Sequence, residues 1–215
     1  MLAALQQRLN DIYQTGAAYD VRDFLITDLA VARRLGARSM LPGTEETLLL
    51  SEQEGELAVS LYLCPELLSR LEAKEPMARL QAGALADLWK VVEGISHFNC
   101  VVWKASQDRS VSLLELELQA EIDKFVSTVQ LASEQGDTEL TRNLHRWLFD
   151  DVRFCNGLDA RTRDRYRSAN EYAARFCRGL VTAVAQQDND VLAELRRFYR
   201  LPMTDKISHI HSRAW

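Results

Sequence analysis

The sequence predicts a helix-dominated α+β fold with a small antiparallel sheet of about three strands and a helical C-terminal part. Three observations carry this. Leu57, Val59, Leu61 and Leu63 alternate strictly after a polar turn containing Gly55, the mark of a hairpin with one buried face. Ser-His-Phe-Asn-Cys-Val-Val-Trp-Lys-Ala, from Ser96, is rich in aromatic and β-branched residues and reads as a third strand over 97–105. Most of the remaining chain repeats its apolar residues at three- and four-residue steps, the helical period.

Leu2, Leu5, Leu9 and Ile12 form a first helical stripe, which stops at Thr15-Gly16. Asp20 then caps an expected second helix that aligns Val21, Phe24, Leu25, Leu29, Ala32 and Leu35 and ends at Gly36. Residues 37–45 hold a Pro-Gly turn signal, and the hairpin strands follow at 46–51 and 56–63. Pro65 suits the first turn of a helix that Pro76 closes. A longer helix, 78–93, turns Leu80, Leu85, Leu88, Trp89 and Val92 inward, and Gly94 is expected to stop it.

The stretch Leu113-Leu-Glu-Leu-Glu-Leu118 alternates like a strand, but one helical rule covers 112–133. At 100° per residue, Leu114, Leu118, Ile122, Phe125, Val126, Val129 and Ala132 fall within about 120° of arc, with Glu117, Glu121, Lys124 and Thr128 opposite. Ser112 and Glu115 have the spacing of a capping box. Leu113, Leu116 and Ala120 form a second face that needs cover. After Gly136-Asp137, a helix aligns Leu140, Leu144, Trp147 and Leu148. Gly157-Leu158-Asp159 opens a long helix, 160–187, with Tyr166, Ala169, Ala173, Phe176 and Leu180 on one face. A last helix ends before Pro202, and the tail from Thr204 is expected to be loose unless Trp215 docks.

These elements suggest an α+β part, 1–135, and a helical part, 136–215, packed on it as one continuous domain. Hydrophobic content of 47% and charged content of 27% are ordinary for a globular protein. The N-terminal stretch is too interrupted by polar residues for a signal peptide or an anchor, so the expected location is cytoplasmic with no membrane partner. Cys64, Cys100, Cys155 and Cys177 lack C-x-x-C spacing and read as reduced thiols. Residues 1–151 carry 14 Lys+Arg against 24 Asp+Glu, whereas 152–215 carry 12 against 7. The two charge surpluses favour contact within the fold or between copies, and the overall negative charge disfavours nucleic acid.

No phosphate-loop, dinucleotide, nucleophile-elbow or H-E-x-x-H pattern occurs, so no catalytic residue and no cofactor is assigned. The functional expectation is a non-enzymatic cytosolic protein-interaction module, an adaptor or chaperone-like protein, that binds a protein partner or self-associates. A rival is an enzyme or a small-ligand or metal binder with its site between sheet and helix. There Glu93 and His97, four apart, would join Glu115, although a helix stop at Gly94 would spoil the geometry. No metal site is expected outright. Glu115 at the stripe's edge calls for a buried partner, such as an arginine from the C-terminal helices. His209 and His211 resemble a weak metal clip and read instead as tail. A third reading is an anion binder using Arg163, Arg167 and Arg178 of the arginine-rich helix 160–187. Arginines at such spacing more often cover a core with their stems.

Overall fold

The computed structural model describes residues 1–16, 19–36, 43–152 and 158–212. By internal contacts the chain forms two compact units, Met1–Asn10 with Thr15–Ser110, and Asp11–Gln14 with Val111–Trp215. The fold is α+β and helix-dominated, with a three-stranded mixed sheet in the first unit. The helix over 113–134 falls with the second unit, whereas the sequence grouped it with the first 135 residues.

The first unit takes the start of α1 (Leu2–Tyr13), where Leu5 and Leu9 are buried. Gln6 donates to Tyr19 O and Asn99 Oδ1 and accepts from Val21 N, so one amide fixes the chain entering the next segment. The single helix expected over 21–35 is broken. Asp20 caps only a 3-10 turn, Val21–Phe24, and β1 (Leu25–Ile26) follows. Asp28 then accepts from Ala30 N at 2.7 Å and Val31 N at 3.1 Å, starting α2 (Leu29–Gly36) afresh. An Asp side chain competes for backbone donors, which makes it a better helix start than a helix interior.

The hairpin forms as its alternation requires. β2 (Glu46–Gln53) and β3 (Glu56–Leu63) pair antiparallel from Glu46↔Leu63 to Gln53↔Glu56. The connecting Glu54 and Gly55 both have positive φ, 52° and 82°, the form that matches strand twist in two-residue loops. The third strand is β1, parallel to β3, giving the order β1-β3-β2. The strand expected at 97–105 does not exist. α3 (Pro65–Glu72) is followed by α4 (Leu85–Ser106), which runs through Gly94 without a stop. Residues from Ile95 to Val101 are all buried, so their apolar and β-branched character reflects a helix enclosed on every side.

Ionic contacts tie these elements. Arg70 of α3 donates from Nη2 to Glu45 Oε1 at 2.8 Å and to Asp87 Oδ1 at 2.9 Å, Lys74 reaches Asp87 at 2.8 Å, and Lys90 bonds Glu45. The Arg70 bond, followed by Lys74, holds the Asp87 carboxyl below its usual range, and Lys90 then Arg70 do the same for Glu45. This fixes the start of β2 against α4.

The second unit centres on α5 (Leu113–Glu134), which packs on α6 (Thr138–His145), α7 (Ala160–Cys177) and α8 (Val181–Ala185). The opening stretch is helical, and Ser112 Oγ accepts from Glu115 N as its cap. The supposedly wet face is not wet: Glu117 lies 3.5 Å from Arg165, Lys124 donates to Glu121, and Thr128 is fully buried. The helix expected over 160–187 is two, α7 and α8. Gly179, at φ 77°, breaks it between them in the left-handed conformation common at helix C-termini. α9 (Asn189–Arg200) ends before Pro202 as expected, but the tail is not loose. α10 (Met203–Ser212) buries Lys206 and Ile210 completely; Trp215 lies outside the described residues. Arg196 and Arg200 of α9 donate to the carbonyls of Ile12 and Tyr13, satisfying the C-terminal end of α1. Among the described residues no helix is long and apolar enough to cross a membrane.

Candidate metal centre

Because α4 is continuous, Glu93 and His97 project from one helical face four residues apart. The third group facing them is Glu46, the first residue of β2. The potential ligand atoms of Glu46, Glu93 and His97 lie within 4.8 Å of one another, and His97 Nδ1 stands 3.9 Å from Glu46 Oε1. His97 is buried and the two carboxylates are half-buried.

Gly94 makes this approach possible. A Cβ there would meet Leu61 Cδ1 at 2.8 Å, Glu46 Cγ at 3.0 Å and Glu46 Oε1 at 3.1 Å. Real Cβ atoms do not tolerate the first distance, so the hairpin rests against bare helix backbone at the one turn that lies between Glu93 and His97. A mid-helix glycine costs about 0.5–1 kcal/mol relative to alanine, and the close packing offsets it.

The sequence-based trio is thus split. Glu93 and His97 belong together, but Glu115 belongs to the second unit, where its carboxylate meets Lys206 Nζ at 3.1 Å. Glu115 does have the buried partner its position demanded, though a lysine of the tail supplies it instead of an arginine. Glu46 was missed because nothing local connects a strand's first residue to a distant helix. The usable signal was Gly94 inside a helical pattern, which points to packing or function when it is not a stop.

Around Lys206 the second unit holds a buried polar chain. Lys206 Nζ donates to Gln119 Oε1 at 3.4 Å, Gln119 donates to Asp123 at 2.9 Å, and Tyr13 donates its phenol proton to Asp123. Burial, then the Asp123 charge, pushes the Tyr13 phenol well above its ordinary range. Burial, then Glu121 and Asp123, likewise raises the Cys177 thiol, which makes it a poor nucleophile. The group is enclosed and internally paired, the character of a structural network.

Two of the anion-binding candidates find local partners: Arg163 donates to Leu158 O at 3.3 Å and Arg167 pairs with Asp164, while Arg178 is exposed at the C-cap of α7. Neither histidine of the tail stands as a clip: His209 contacts Glu194, and His211 contacts Arg175. Cys100 and Cys177 are buried, Cys64 donates to Glu66 Oε2 at 2.7 Å, and Cys155 lies outside the described residues. Cys64 lines an open cleft of about 490 Å³ with Tyr62, Arg33 and Glu66. Compared with protein-family models, with curated proteins and with solved structures, the chain matches none of them.

Proposed function

We propose that this protein binds a divalent transition-metal ion through Glu46, Glu93 and His97. The observation that supports this is the convergence of two carboxylates and an imidazole within 4.8 Å, from two elements held together by a glycine contact. Mixed oxygen and nitrogen donors suit zinc, manganese or ferrous iron better than calcium, which takes oxygen alone. Ligand bonds of about 2.0–2.2 Å place tetrahedral donors roughly 3.5 Å apart, so modest side-chain rotation closes the cluster. Three protein ligands leave a position for water or another small ligand, the arrangement in which zinc acts as a Lewis acid. The interaction-module expectation rests on the absence of catalytic patterns in the sequence, and the metal reading is its rival.

The test is calorimetric titration of chelator-treated protein with zinc, and with cobalt(II) as a spectroscopic probe. One equivalent should bind, and His97→Ala and Glu93→Gln should each weaken it by at least about tenfold. Equal affinity in wild type and both variants would refute the site.

A further inference from the structure

We infer that the cleft at the sheet edge where β1 and β3 end binds a small organic carboxylate, with Arg33 taking the carboxylate and Leu29, Tyr62 and Pro65 its apolar body. Because β1 and β3 are neighbours that run parallel, both end at the same edge. The helices that follow them go to opposite faces of the sheet. α2 covers the face of Leu49 and Tyr62 through Ala32, whereas α3 packs with α4, which lies on the face of Leu61. Adjacent parallel strands whose helices part in this way leave a crevice outside their carboxyl ends, the usual place for a ligand in open α/β sheets. Thr27 and Leu29 after β1, and Cys64 and Pro65 after β3, line the cleft. Its volume of about 490 Å³ lies within the range of about 300–1,000 Å³ typical of small-molecule sites.

The charges in the cleft select the ligand. Of its acids, Glu45 is already held by Arg70 at 2.8 Å and by Lys90, and Glu66 Oε2 accepts the Cys64 thiol proton at 2.7 Å. Among the described residues no carboxylate pairs with Arg33. The guanidinium stands within electrostatic reach of the Tyr62 phenol, which burial and then Cys64 push up while Arg33 works the other way. The helix ends offer little to an anion, since Asp28 occupies Ala30 N and Val31 N, and Pro65 has no N–H. The cation left for a ligand is therefore Arg33, whose planar fork matches a carboxylate with two parallel hydrogen bonds. Beside it Leu29, 38% exposed, would be covered by the ligand's apolar body.

Cys64, half-buried in the same cleft, reports on its occupancy. Alkylation of Cys64 in the full chain is followed by peptide mass spectrometry, with iodoacetate as the charged probe and iodoacetamide as the neutral one. The iodoacetate rate should level off as its concentration rises, and hexanoate should slow it while hexanamide and inorganic phosphate do not. Arg33→Gln, an exposed substitution whose folding is checked by circular dichroism, should lower the iodoacetate rate at least about tenfold and leave the iodoacetamide rate unaltered. Equal iodoacetate rates in wild type and Arg33→Gln would overturn the inference. So would equal protection by hexanamide, which removes the charge from recognition, or by phosphate, which removes the apolar body. Failure of both reagents to modify Cys64 would overturn it as well, because the cleft would then be closed to small molecules. Zinc and its ligands take no part in these readouts.

Discussion

Lys206→Met should destabilise the second unit by about 3–5 kcal/mol, far more than a lysine in a presumed tail would suggest. The ammonium is fully buried, 3.1 Å from Glu115 Oε1 and 3.4 Å from Gln119 Oε1, and stands 5.4 Å and 5.8 Å from the ring centres of Phe198 and Tyr199. At an effective dielectric constant of about 20, opposite charges at this separation attract by roughly 5 kcal/mol. Desolvating each ion costs several kcal/mol, so the intact pair contributes little net. Removing the lysine alone leaves Glu115, only 2% exposed, as a buried carboxylate facing a methyl group. Replacing both ends, Lys206→Met with Glu115→Met, should recover most of the loss, because similar volume returns without either charge. Urea unfolding followed by circular dichroism checks both variants against wild type. A loss below about 1 kcal/mol for Lys206→Met would mean that α10 is held by its other contacts, Ile210 and the His209–Glu194 pair among them, and that the Lys206–Glu115 pair is not a buried constraint.

Gly94→Ala, normally favourable inside a helix, should instead cost about 1–3 kcal/mol, because the new methyl displaces Leu61 and Glu46. Zinc affinity should fall with it, and a variant that melts higher than wild type would refute the close contact. Stability of the first unit should also drop in acid. Asp87 and Glu45 titrate lower folded than unfolded, so their contribution is complete above the ordinary carboxylate pKa, about 4, and is lost as pH falls through their depressed values. Asp87→Asn should flatten the acid side of the melting temperature against pH, and an unaltered slope would show that the Arg70–Asp87 contact carries no such linkage.

The features legible in the sequence were those whose cause is local. The hairpin announces itself through alternation and a two-residue turn, and α5 through its Ser112 cap and apolar period. What stayed hidden was decided by distant contacts. Gly94 reads as a stop because the hairpin pressed against it is not nearby in sequence. The segment after it then looked too short for a helix, and its buried composition was mistaken for a strand. Lys206 and Glu117 read as solvated because charged residues usually are. Two of the three residues of the candidate site, Glu93 and His97, came from helical spacing; Glu46 required the sheet.

The assignment of Asp11–Gln14 and α10 to one unit has a consequence for vectorial synthesis. All residues of the first unit have left the ribosome once Ser110 emerges, and it is free to fold as the chain lengthens. The second unit has no such early start. Until Lys206 appears, Glu115 lacks its cation and the faces of α5 await their cover, while Tyr13 sits at the far end of the nascent chain. A half-made polypeptide therefore carries every residue of the first unit while the apolar faces of α5 are still in water, the form in which a holding chaperone has most to grip.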